Sequence, residues 1–406
     1  MIHLIEIENF LSIREREVID LRISGKVPDP LGRFGPIFPG ATTRAPKVVA
    51  IYGANASGKT NVLKALSFVI QFVRNPAVRA VSSPFVQHFN DEECKNRPIH
   101  FALEFPGLMD ATPDAIERAR NKEAATYGTY RYELSLAVKD GLIRHVAHES
   151  LRQRPNDRGK WQRVFARDEA QNARGSKVFP IKGYQHLFNT LDPRGSIIAN
   201  FAHFGHPGAQ LLKSAADQAI LSLHDQPNMQ DDPLIAFLGT QPDLLTSLNA
   251  DLKRIDLGIE EMRVDSTPNG SIARFRHYCL DADMPWLLES HGTRAFIRNY
   301  PLIVGALARG STVIIDELDL AIHPLVLPEL LRWFHDPDRN PSGAQLWFTG
   351  QSATLLDDLL PEEILFCEKD RKGRTHLFLA RDVARRDDNL RRKYLSGVYG
   401  AVPQIG

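Results

Sequence analysis

Gly53-Ala54-Asn55-Ala56-Ser57-Gly58-Lys59-Thr60 decides how this chain reads. It fits G-x-x-x-x-G-K-[ST], a loop that wraps phosphate oxygens with backbone N–H groups. Its glycines allow the close approach that such wrapping needs. Upstream, Lys47–Tyr52 (KVVAIY) is an apolar, β-branched run that predicts a buried central strand. Downstream, Val62, Leu63, Leu66, Val69, Ile70 and Val73 recur at helical spacing from Thr60 to about Arg74. Strand, glycine turn and helix together offer helix N-terminal N–H groups and a positive dipole end to an anion. In such a loop Lys59 reaches the β- and γ-phosphates of a nucleotide, and Thr60 places its hydroxyl on Mg2+. The expected nucleotide-binding stretch runs to Asn61, and the expected cofactors are ATP and Mg2+.

A second stretch completes the site. Ser311-Thr312-Val313-Ile314-Ile315-Asp316-Glu317 is an apolar strand ending in two carboxylates. Asp316 is placed to hold the Mg2+ water shell beside Thr60, and Glu317 to orient or deprotonate an attacking water. Gly53 and Asp316 are 263 positions apart, so a large insertion separates two strands of one sheet. Ser290-His291-Gly292-Thr293, 26 residues before Asp316, opens another helix. It reads either as an ordinary helix cap or as a second anion-accepting end.

Composition excludes several classes. The 406 residues are 43% hydrophobic and 24% charged, which describes a globular chain with a sizeable core. Net charge is +1, so any basic surface is local. Cys94, Cys279 and Cys367 are far apart and odd in number, which excludes a disulfide scaffold and gives no zinc pair. The start MIHLIEIENF lacks a basic region ahead of an apolar core, and no apolar run approaches about 18 residues. The expectation is a soluble cytoplasmic protein without a membrane partner.

Along the chain, residues 2–10 and 17–21 read as strands and the Gly/Pro-rich residues 24–46 as a loop. Strands are expected at 98–105, 130–138, 143–153, 161–167, 272–280, 313–315, 345–349 and 363–368. Helices are expected at 115–125, across 205–260, and at 296–308 and 325–334. The spans drawn from this are 1–75 and 296–406 as two halves of one α/β unit, 76–204 as a strand-rich insertion and 205–295 as a helical lobe.

The order of these features resembles the ABC-type ATPase heads of the SMC and RecN class. That resemblance implies a P-loop NTPase with a mixed α/β sheet, an inserted antiparallel β-subdomain and a helical signature lobe. It also implies a homodimer, or a higher homo-oligomer, that sandwiches nucleotide. The loop of one copy then faces Ser290, Gly292 and Thr293 of another, and Leu318-Asp319 lies at the contact. A narrower resemblance is to RloA/AbiL-like AAA-family ATP-binding proteins. It is carried by Glu8-Asn9-Phe10-Leu11-Ser12-Ile13-Arg14, Gly53–Asn61, Ser290–Arg294, Asp316-Glu317 with His323-Pro324, Gly343-Ala344-Gln345-Leu346 and Glu368-Lys369-Asp370. The ending Tyr394-Leu395-x-Gly397-x-Tyr399-Gly400-Ala401-Val402-Pro403 adds to it.

Two positions depart from that family. Thr349-Gly350-Gln351 stands where Thr-Thr-His is usual, so Gln351 takes the place of a γ-phosphate-sensing histidine and cannot carry its proton. Val398 stands where an arginine is usual. The resemblance implies a slow ATPase that gates a separately encoded nuclease or Toprim-like effector in defence against phage. Two alternatives stand beside it: a scaffold in which ATP is structural, and a DNA-maintenance ATPase of the SMC or RecN kind. Nucleic acid is a candidate partner of residues 369–394, with ten basic against four acidic residues, and of seven basic residues within 144–167. A solvated, internally compensated face is the competing reading.

Overall fold

A computed structural model describes residues 1–76, 86–110, 112–120, 125–155, 159–184, 191–223, 231–255, 258–268, 270–278, 280–320, 322, 325–385 and 388–402. His323, Pro324, Cys279, Arg386, Asp387 and Pro403 of the sequence reading lie outside these residues.

In chain order, β1 (Leu4–Glu8), β2 (Glu17–Asp20), β3 (Phe34–Pro36), β4 (Arg44–Pro46) and β5 (Val48–Tyr52) precede α1 (Lys59–Arg74). Next come β6 (Ile99–Leu108), α2 (Pro113–Arg120), β7 (Tyr127–Lys139), β8 (Leu142–Arg154), β9 (Gln162–Arg167) and β10 (Ala173–Gly175). Then follow α3 (Ile197–His203), α4 (Pro207–Asp217), β11 (Ile220–Ser222), α5 (Asp231–Gly239) and α6 (Pro242–Arg254). β12 (Ile259–Thr267), β13 (Gly270–His277), β14 (Met284–Pro285) and α7 (His291–Arg309) lead into β15 (Thr312–Ile315). The last elements are α8 (Leu327–His335), β16 (Gln345–Thr349), β17 (Ile364–Lys369), β18 (Thr375–Leu379), α9 (Ala380–Val383) and α10 (Leu390–Leu395).

Two large sheets enclose α1. The central sheet has the order β11-β15-β16-β5-β17-β18, parallel throughout except for the antiparallel edge strand β18. The second sheet, β10-β9-β8-β7-β6-β1-β2, is antiparallel. Alternation along β5 sorts the two cores. Val49 and Ile51 join Val62, Leu66 and Val69 of α1 and Ile5 and Ile7 of β1. Val48, Ala50 and Tyr52 face Val313, Leu346, Ile297 of α7, Leu330 of α8 and the helical lobe residues Leu234, Leu248 and Leu252. Strands buried on both faces require the near-continuous apolar runs that the sequence shows there.

The sequence spans do not divide the sheets as drawn. β1 and β2 precede the glycine loop, yet β1 pairs with β6 of the strand-rich segment. The expected helical stretch 205–260 contains β11, whose three residues are too short to show a period, and it pairs with β15. Beyond it, β12 goes unread in the sequence because its register shifts between Ile259 and Glu261, which interrupts the alternation of Ile259, Met262 and Val264. The loop 24–46 carries the small ribbon of β3 and β4.

Candidate nucleotide site

The glycine loop joins β5 to α1, and Lys59 is the first residue of that helix. Gly58 caps it at φ 109°, in the left-handed region that favours glycine. Gly53 is held tighter still: a Cβ there would stand 2.2 Å from the carbonyl oxygen of Cys367. The loop is braced from its outer side. The Ser57 carbonyl accepts from the Thr375 hydroxyl (2.7 Å) and the Cys367 thiol (3.4 Å). Thr375 Oγ1 lies 2.7 Å from Ser12 Oγ, which in turn accepts from Asn61 Nδ2 at 2.7 Å. The N-terminal block with Ser12 therefore braces the loop. Nothing in the spacing of a lone serine or threonine announces that task.

Inside the loop, Lys59 Nζ donates to the carbonyls of Gly53 (2.8 Å) and Ala54 (3.0 Å). Burial lowers its pKa from the usual lysine value, opposed by Cys367, Asp316, Asp319 and Glu317. Ser57 Oγ is buried without a hydrogen-bond partner among the described residues.

The distant carboxylates meet the loop. Thr60 Oγ1 donates to Asp316 Oδ1 at 3.2 Å although the two residues are 256 positions apart. The same carboxylate oxygen accepts from Thr349 Oγ1 at 2.5 Å. Glu317, at φ 53°, donates its N–H to Thr349 Oγ1 (2.7 Å), and its Oε1 accepts from Gln351 Nε2 at 3.3 Å. Asp319 closes the turn by accepting from the N–H groups of Gln351 (2.6 Å) and Ser352 (2.5 Å). One hydrogen-bonded group thus contains Thr60, Asp316, Glu317, Thr349, Gln351 and Asp319.

This set of donors fits a magnesium-bound triphosphate. Thr60 and Asp316 are hard oxygen ligands side by side, Lys59 is a cation at the loop, and the unpartnered Ser57 hydroxyl points to an acceptor still to be supplied. Gly53 keeps the backbone where a side chain would collide.

Ser290 stands apart from that group. Its Oγ accepts from the Thr293 N–H (3.0 Å) and lies 2.8 Å from Thr293 Oγ1, capping α7. The hydrogen bonds of Ser290 to Thr293 and Arg294 stay within this first turn, which is the capping alternative of the sequence reading.

Other singled-out residues have structural partners. Tyr394 and Tyr399 stack on Phe366 of β17 at 5.5 and 5.8 Å, while Gly397 and Gly400 turn at φ 74° and 73°. The basic stretch is partly compensated: Arg374 pairs with Asp370 (2.6 Å), Arg391 with Asp357 (3.2 Å), and Lys393 with Asp388. Burial pushes the Cys367 thiol up to about 12 and that of Cys94 up to about 11. Among the described residues no helix is long and apolar enough to cross a membrane, and no cluster of His, Cys, Asp and Glu could hold a metal by itself.

A family model described as "AAA domain, putative AbiEii toxin, Type IV TA system" matches residues 48–357. No curated protein matches the chain. Among solved structures, the SMC head domain from Thermotoga maritima is similar at 13% identity, covering 93% of this chain and 98% of that one, with a TM-score of 0.41.

Proposed function

The chain belongs to that AAA-domain family, a family of ATPases at the general level, and from this premise we propose that it binds Mg·ATP on residues 53–61, hydrolyses it slowly, and so governs a separately encoded effector. The observation that carries the reading is the 3.2 Å contact between Thr60 and Asp316, which joins the glycine loop to the late acid.

In this reading Lys59 exchanges two loop carbonyls for phosphate oxygens, a charge-assisted pairing. Thr60 and Asp316 would hold Mg2+, which when bound would supply positive charge against the charge that develops on the phosphates. Glu317 takes the proton of the attacking water. Gln351 donates a hydrogen bond to Glu317 and keeps its own protons, so turnover is slow. Ser290, Gly292 and Thr293 act across a homodimer on the nucleotide held by the other copy. The toxin and type IV toxin–antitoxin wording of the family description supports a role in defence.

The test is direct. Lys59→Ala weakens Mg·ATP binding at least about tenfold. Glu317→Gln retains binding and lowers turnover about 100-fold or more. Calorimetric titration and phosphate release measure both, and unchanged binding and turnover in both variants reject the assignment. A scaffold role with negligible turnover is the second reading, favoured by the Gln351 amide lying on Glu317. A large gain in turnover on Gln351→His supports it.

A further inference from the structure

We infer that Thr349 is a positioning residue that sets the Glu317 carboxylate through the backbone of Glu317. The inference rests on the hydrolytic reading above, in which Thr349 has no part.

Thr349 ends β16, the strand between the acid-bearing β15 and the loop-bearing β5, and is 1% exposed. A threonine hydroxyl has one proton to give and lone pairs to accept with. Here both directions are fixed by its neighbours. Thr349 Oγ1 donates to the carboxylate oxygen Oδ1 of Asp316 across 2.5 Å. A backbone amide only donates, so the same oxygen accepts the Glu317 N–H across 2.7 Å. One hydroxyl therefore fixes the metal-side acid by its side chain and the next acid by its main chain.

The conformation of Glu317 gives that contact its importance. In a continuing strand, consecutive side chains point to opposite faces. Glu317 instead takes φ 53°, which non-glycine residues rarely adopt, and this breaks the alternation after Asp316. An unusual backbone conformation persists where its surroundings hold it. Gln351 touches the Glu317 side chain at 3.3 Å, and Asp319 ties the end of the turn to the N–H groups of Gln351 and Ser352. Of these three side chains, Thr349 alone grips the Glu317 backbone.

Thr349→Val is nearly isosteric and removes both hydrogen bonds, while Thr349→Ser keeps them. Steady-state ATPase assays on parent, both variants and Glu317→Gln, with Mg·ATP affinity by calorimetry and a thermal melt, decide the matter. At saturating Mg·ATP, Thr349→Val lowers kcat about 10- to 100-fold, as displacement of a catalytic group does, and its lost bond to Asp316 weakens Mg·ATP binding about tenfold in the calorimetric titration. Thr349→Ser recovers kcat to within about threefold of the parent. The inference is overturned if Thr349→Val keeps the parental kcat, or if Thr349→Ser is as impaired as Thr349→Val while both melt like the parent. Equal turnover in parent and Glu317→Gln instead sinks the hydrolytic reading, and the role of Thr349 falls with it.

Discussion

Gly53 has no room for a methyl group, because its nearest neighbour would be the main-chain oxygen of Cys367 at 2.2 Å. Gly53→Ala therefore displaces backbone, and we expect it to cost about 1–3 kcal/mol of stability and to lose ATP binding. A urea titration and a calorimetric titration read the two effects. His3 supports a prediction about acid. Its ring is 0% exposed, and burial, with the nearby N-terminal ammonium and Arg22, lowers its pKa to about 3. A histidine of depressed pKa binds a proton only when unfolded between about pH 6.5 and 3, so stability falls as pH falls through that window. Between pH 7 and 5 the loss is about 2 kcal/mol, and His3→Phe should flatten that limb of the urea-measured stability. At this scale the sequence is legible where chemistry imposes a fixed spacing, as in Gly53–Thr60 and Asp316-Glu317. Thr349, Ser12 and Thr375 are not legible. A serine or threonine carries no spacing signal, and Thr349 contacts Glu317 from 32 positions away.

Among the elements, α7 opens on Ser290, whose oxygen caps the Thr293 N–H. Removing a serine cap costs about 1 kcal/mol. Ser290→Ala should therefore lower the melting temperature, while Ser290→Asp retains a cap and adds negative charge. If Ser290 acts on nucleotide across a dimer, Ser290→Asp melts like the parent and loses turnover; parental turnover leaves the residue a cap only. Helix α3 begins over a buried carboxylate. Glu149 accepts from Arg167 (2.6 Å), Tyr132 (2.9 Å), Ser196 (3.0 Å) and the Ile197 N–H (3.1 Å), and both Glu149 and Arg167 are buried. Glu149→Ala leaves the buried Arg167 guanidinium without its carboxylate, with only the Gly195 carbonyl and the Gln171 side chain as acceptors. The expected cost is about 3–5 kcal/mol in a urea unfolding series. Long elements whose apolar residues recur regularly, such as β7 and α7, are readable from sequence. The three-residue β11 and the bulged β12 are not, because they span too few regular repeats to show a period.

In the whole molecule, α1 is covered on both sides, by the central sheet and by the antiparallel sheet. The late acid betrays an insertion. Nothing local in residues 4–8, however, reveals that β1 pairs with β6, since strand partnership depends on neighbours that only tertiary contact selects. If nucleotide joins two copies, Glu317→Gln with Mg·ATP should elute at twice the monomer mass in sizing with light scattering, and Lys59→Ala under the same conditions should remain a monomer. The sheet order also has a consequence during synthesis. β5 lies between β16 and β17, both of which leave the ribosome roughly 300 residues later, or about 15–60 s at usual translation rates. Until then VVAIY is an unpaired apolar strand, so the strand that leads into the glycine loop is the one a nascent chain has most need to shield from its neighbours.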